Sequence, residues 1–141
     1  MSMSQTGMQF GIFGMTLVRA ADAMLRSLGG SEIRLLLPAF AIAGDSSQLG
    51  LADPGVEEVR LSPVVVRNLP TNNTGPRRRL EFLVPAAAVV EELSSRNVAS
   101  AEAFFEGVMG IVYDGDLFHI EDLSTEYFGG MAYLYRVVGV E

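Results

Sequence analysis

The chain has 141 residues, 49% of them hydrophobic and 19% charged, with a formal net charge of −7; this suffices for one core in a single domain, residues 1–141, that folds without staples. The absence of cysteine excludes disulfides, thiolate nucleophiles and sulfur-ligated metals. All ten cationic residues are arginines, which removes Schiff-base and P-loop lysine chemistry, and the anionic whole repels nucleic acid at long range.

Along the chain, Leu17, Ala20, Ala21, Met24, Leu25 and Leu28 recur at the spacing of one helical face, with Arg19, Asp22, Arg26 and Ser27 opposite. The pattern predicts a helix over about 13–28, capped by Thr16 and closed by a left-handed Gly29. Phe10, Ile12 and Phe13 extend the stripe upstream. Ile33, Leu35 and Leu37 then alternate with Glu32, Arg34 and Leu36, a strand stopped by Pro38. Residues 43–55 have loop composition. Val56 to Arg67 returns to strand character, with a bend or edge at Pro63. A second flexible loop, 69–79, carries Asn72, Asn73 and the run Arg77, Arg78 and Arg79.

Leu80, Phe82 and Val84 mark another alternating strand, ended by Pro85, which suits the first turn of a helix over Ala86 to Leu93. Ser100 caps one further helical turn. The C-terminal region, about 107–138, holds the strongest β pattern. Met109 to Tyr113 and Leu117 to Leu123 flank Asp114-Gly115-Asp116, and Gly129-Gly130 turns the chain into a last strand, Met131 to Val138. The fold class that follows is α+β: a small antiparallel β-barrel or sandwich with an N-terminal helix and one or two short helices.

Chemistry-bearing groups are sparse. His119 is the sole imidazole, so neither an ordinary triad nor a multi-histidine metal site can form within one chain. Asp114, Asp116, Glu121 and Asp122 gather near it, but their spacing is not that of a calcium loop, and Asp-Gly-Asp is explained by turn chemistry. No catalytic residue, cofactor or metal is assigned. The candidate contact residues are Arg77, Arg78 and Arg79, Asn72 and Asn73, and Tyr133 and Tyr135. The arginine run reads either as a solvated loop end or as a contact to phosphates or an acidic partner. The two tyrosines lie on a last strand whose faces are both apolar, which means burial or a subunit contact. No secretion signal is read in the first residues, and apolar stretches such as Leu83 to Val90 fall short of the roughly 20 residues that span a bilayer.

Three stretches together, FGMTLVRAADAMLRSLGGSEIRLLL, RRLEFLVPAAAVVEEL and DGDLFHIEDLSTEYFGGMAYLYRVV, resemble the lambda-type head-tail joining, or neck, proteins of long-tailed bacteriophages. The likeness rests on the order of features: Arg19, Ala20, Ala21 and Asp22 in the helix before a glycine and a strand, the turn and strand Asp114 to Asp122, and the closing Gly129-Gly130 loop. It does not extend through Ala39 to Leu80. It implies a non-enzymatic virion protein that completes the head, a homo-oligomeric ring at the head vertex that retains DNA. Its neighbours would be portal, adaptor or other neck proteins and the tail tube or tail terminator. DNA would pass without specific binding, no membrane would be involved, and the site would be the virion neck, assembled in the bacterial host cytoplasm. The alternative is a small β-barrel that binds a ligand or acts as an adaptor; a metal-dependent hydrolase ranks third.

Overall fold

The computed structural model describes residues 16–39, 55–70 and 77–141. In chain order these form helix α1 (16–27), strands β1 (Ser31–Pro38), β2 (Val56–Leu69) and β3 (Arg79–Pro85), helices α2 (Ala86–Ser95) and α3 (Ala101–Glu106), and strands β4 (Gly110–Tyr113), β5 (Asp116–Phe128) and β6 (Met131–Val140). Two antiparallel three-stranded meanders, β1-β2-β3 and β4-β5-β6, are joined through the two short helices. They close on each other as a barrel of order β1-β2-β3-β6-β5-β4, with every pairing antiparallel. The β-barrel form of the α+β expectation is the one adopted.

Alternation decides what fills the barrel. Ile33, Leu35 and Leu37 of β1, Leu80, Phe82 and Val84 of β3, and Ile111, Phe118 and Val137 of the second meander all point inward and are buried. Phe82 lies at the centre, edge-on to Phe118 at 5.8 Å and to Tyr113 at 6.0 Å, an arrangement that suits the ring quadrupoles. The two rings meet because Gly139 of β6 has no side chain: a Cβ there would sit 2.9 Å from Phe82 Cε2 and 3.0 Å from Phe118 Cβ. Among the described residues these side chains fill the barrel interior as one core.

The turns follow local chemistry. Asp114 and Gly115 both have positive φ, as do Gly129 and Gly130, so each hairpin of the second meander closes through a two-residue loop with the twist of its strands. At the end of α1 the Gly29 N–H donates to Arg26 O at 3.2 Å and the Gly30 N–H to Leu25 O at 3.0 Å, with Gly29 left-handed. Asn97 takes the same role after α2, where the Val98 N–H reaches Leu93 O at 3.0 Å. The Ser100 hydroxyl caps α3 by accepting the Ala103 N–H at 3.2 Å. Arg96 fastens the end of α2 to β2 by donating to Glu57 at 2.6 Å and to Glu92 at 3.2 Å.

Several expectations are corrected. Thr16 is already helical, so it is not the cap of α1. The helix is also seated on a narrower stripe than its sequence suggests. Leu25 is buried and Leu17, Val18 and Ala21 are half-buried, while Ala20 is exposed, Met24 is 60% exposed and Leu28 is 66% exposed. Pro63 does not end a strand. Strand β2 runs through it and changes partner there, from β1 up to Val64 to β3 from Val65 onward; the bend expected at this proline is that exchange. Strand β5 runs five residues past Leu123, to Phe128. The expected loop over 43–55 falls outside the described residues except for Gly55, as do Phe10, Ile12 and Phe13 and, within the 69–79 loop, 71–76 with Asn72 and Asn73.

Candidate functional site

The arginine run is the first candidate. Arg77 is exposed. Arg78 turns back onto the barrel, where its Nη2 donates to Asp116 Oδ2 at 2.7 Å, its Nε lies 3.4 Å from Glu141 Oε2, and its guanidinium stacks 5.2 Å from the centre of the Phe118 ring. Arg79 donates to Glu121 Oε1 at 2.8 Å. Two of the three cations are therefore engaged with the acidic hairpin that sequence reading treated as a separate cluster. These charges fold on each other across β3, β6 and β5, which leaves Arg77 as the member directed to solvent.

The same pairing bears on the acidic group. Asp116 and Glu121 are taken by Arg78 and Arg79, and among the described residues no three histidine or carboxylate side chains converge in a way that could hold a metal ion. His119 is exposed on the outer face of β5. The charged outer surface continues as a chain across four strands: Arg67 of β2 binds Glu81 of β3, Arg136 of β6 lies 3.6 Å from the same carboxylate, and Arg136 also donates to Glu126 of β5 at 3.0 Å.

The two tyrosines, two residues apart on β6 and so on one face by the pleat, differ in burial, and the register with β5 shifts beside Tyr133, between Glu126 and Tyr127. Tyr135 belongs to the core, 5.8 Å from Phe105 of α3. Burial raises the pKa of its phenol, with nearby Glu102 and Tyr127 pushing the same way. Tyr135 therefore cannot serve as a surface contact, whereas Tyr133 stays half-exposed.

Apolar surface instead emerges where sequence reading did not place it. Tyr127 and Phe128, at 60% and 53% exposure, stand at the tip of the β5–β6 hairpin. Val90 projects from α2, Met24 from α1 and Leu28 from the turn that follows it. Between α1, α2 and the start of β6 runs a groove of about 490 Å³ lined by Val18, Ala86, Ala87, Val90, Met131 and Ala132. The aromatic pair immediately before Gly129-Gly130 was the available sequence signal for the hairpin tip, since residues flanking a tight turn lie at the far end of a ribbon. No comparable local signal marked Met24 or Leu28, whose spacing is that of a buried stripe.

Comparison with protein-family models, curated proteins and solved structures gives no match. Among the described residues no helix is long and apolar enough to cross a membrane.

Proposed function

We propose that the chain is a non-enzymatic structural subunit of a phage or prophage head-tail connector, one copy in a ring at the head vertex that helps retain DNA and docks the tail. The observation that carries this reading is the distribution of exposed apolar groups over separate parts of one small barrel: Met24 and Leu28 at the C-terminal end of α1 and the turn after it, Val90 on α2, and Tyr127 and Phe128 at the hairpin tip. A subunit that contacts neighbours on more than one side needs apolar groups on several of its surfaces, and aromatic and Met side chains are enriched at such contacts. The ordered sequence features quoted above support the same reading. So does the charge pattern: a net charge of −7, with Arg78 and Arg79 already bound to carboxylates, suits a protein past which DNA moves without being gripped.

The contacts in this reading are with further copies, with portal, adaptor or other neck proteins, and with the tail tube or tail terminator, in the virion neck after assembly in the host cytoplasm. The test is joining in vitro. Purified chain added to heads that lack it, together with free tails, is expected to raise the yield of infectious particles by about tenfold or more, with a ring visible at the vertex by electron microscopy. A yield equal to that without the protein would remove the proposal.

A further inference from the structure

Strand β5 outruns the neighbour on one of its sides. It pairs with β4 only through Asp116, Leu117 and Phe118, whereas β6 accompanies it from His119 to Phe128. The chain entering β4 turns away: the Val108 N–H donates to Phe105 O at 3.1 Å, and the Met109 N–H to Leu36 O of β1 at 2.7 Å. A strand directs alternate N–H and C=O groups to its two sides. Along 119–124 those aimed away from β6 meet no backbone partner among the described residues. The otherwise closed barrel thus has a seam.

Beside this edge lies a groove of about 510 Å³. Phe105, Val108, Met109, Ile120 and Leu123 give it an apolar lining, and Glu102 and Glu106 of α3 line it together with His119. The carboxylates here differ from Asp116, Glu121, Glu81 and Glu126, which are ion-paired. Glu102 accepts only from the neutral hydroxyls of Thr125 and Tyr127, at 3.3 and 3.5 Å, and neither it, Glu106 nor the exposed Asp122 of β5 has an ion pair with a described residue.

We propose that this seam is a docking site for an extended segment of a partner protein in which apolar and basic residues alternate. The segment adds as a short strand to the free edge of β5, sets its apolar side chains against Ile120, Leu123 and Val108, and places its cations beside Glu102, Glu106 and Asp122. Charge selects this occupant over a second copy of β5, which would bring the exposed Asp122 of each copy to the same edge, beside Glu102 and Glu106 of both, with no cation added. The inference goes beyond the connector reading and does not depend on it.

The test uses the full chain and a fluorescent peptide of about seven residues alternating valine and lysine, long enough to cover the open edge. It is expected to bind by fluorescence anisotropy and to slow amide hydrogen exchange along 119–124. Replacing lysine by glutamate in the peptide, N-methylating its backbone, or introducing Glu106→Lys with Asp122→Lys in the protein should each weaken binding by about tenfold or more. The milder pair Glu106→Gln with Asp122→Asn weakens it less, and circular dichroism verifies that each variant folds. Absence of binding, equal binding of the N-methylated peptide, or protection confined to residues outside the seam would each overturn the proposal.

Discussion

A methyl group on Gly30 would lie 2.5 Å from Pro63 Cβ and 2.9 Å from the Leu25 carbonyl oxygen. Both obstacles are fixed, one by the ring of a buried proline and the other by helix backbone, so neither can move aside cheaply. Gly30→Ala is expected to destabilise the fold by about 1–3 kcal/mol, the range for overpacking, read as a lower urea midpoint at unchanged slope; an unchanged midpoint would mean that the junction of α1, β1 and β2 has slack. Tyr135 offers a second test at this scale. Burial, then Glu102 and Tyr127, raise its folded-state pKa above the ordinary phenol value, so the fold favours the neutral phenol. That contribution is complete below the unfolded pKa of about 10 and is lost as pH climbs through the folded value. Phenolate absorbance should show one of the four tyrosines ionising after the rest, and Tyr135→Phe should remove that late step and flatten the alkaline fall in stability. Simultaneous ionisation of all four would contradict the assignment.

Between elements, Glu81 is the hub that links β2 to β6, and through Arg136 to β5. Its side chain is 12% exposed, while those of Arg67 and Arg136 remain well solvated, so the ion pairs are screened and removing the carboxylate leaves cations that water can still reach. Glu81→Ala is expected to cost about 0.5–1.5 kcal/mol at low salt and less in molar salt. Chemical denaturation at two ionic strengths checks it, and a loss that does not shrink with salt would assign the effect to packing. Turns and caps are where elements were legible in sequence: Asp114-Gly115, Gly129-Gly130, Gly29 and Ser100 each act through bonds made within a few residues. The change of partner within β2 and the length of β5 were not legible. Each of these strands serves two neighbours in succession, and nothing local records where one partner is exchanged for the next.

Over the whole molecule, the inward pattern of β1 and β3 and the hairpins of the second meander were specified locally, because a period of two and a positive-φ turn act over a few residues. The sequence by itself thus determined an antiparallel α+β protein without cysteine chemistry, its inward-facing side chains and its turns. Only the tertiary structure decided that β3 meets β6 and β4 meets β1, that Arg78 and Arg79 fold back on Asp116 and Glu121, that Tyr135 is core, and that Met24, Leu28 and the edge of β5 stay open. The physical reason is range. Propensity, pleat and turn chemistry operate between residues near in sequence, whereas burial and charge pairing depend on which distant segments come together when the barrel closes.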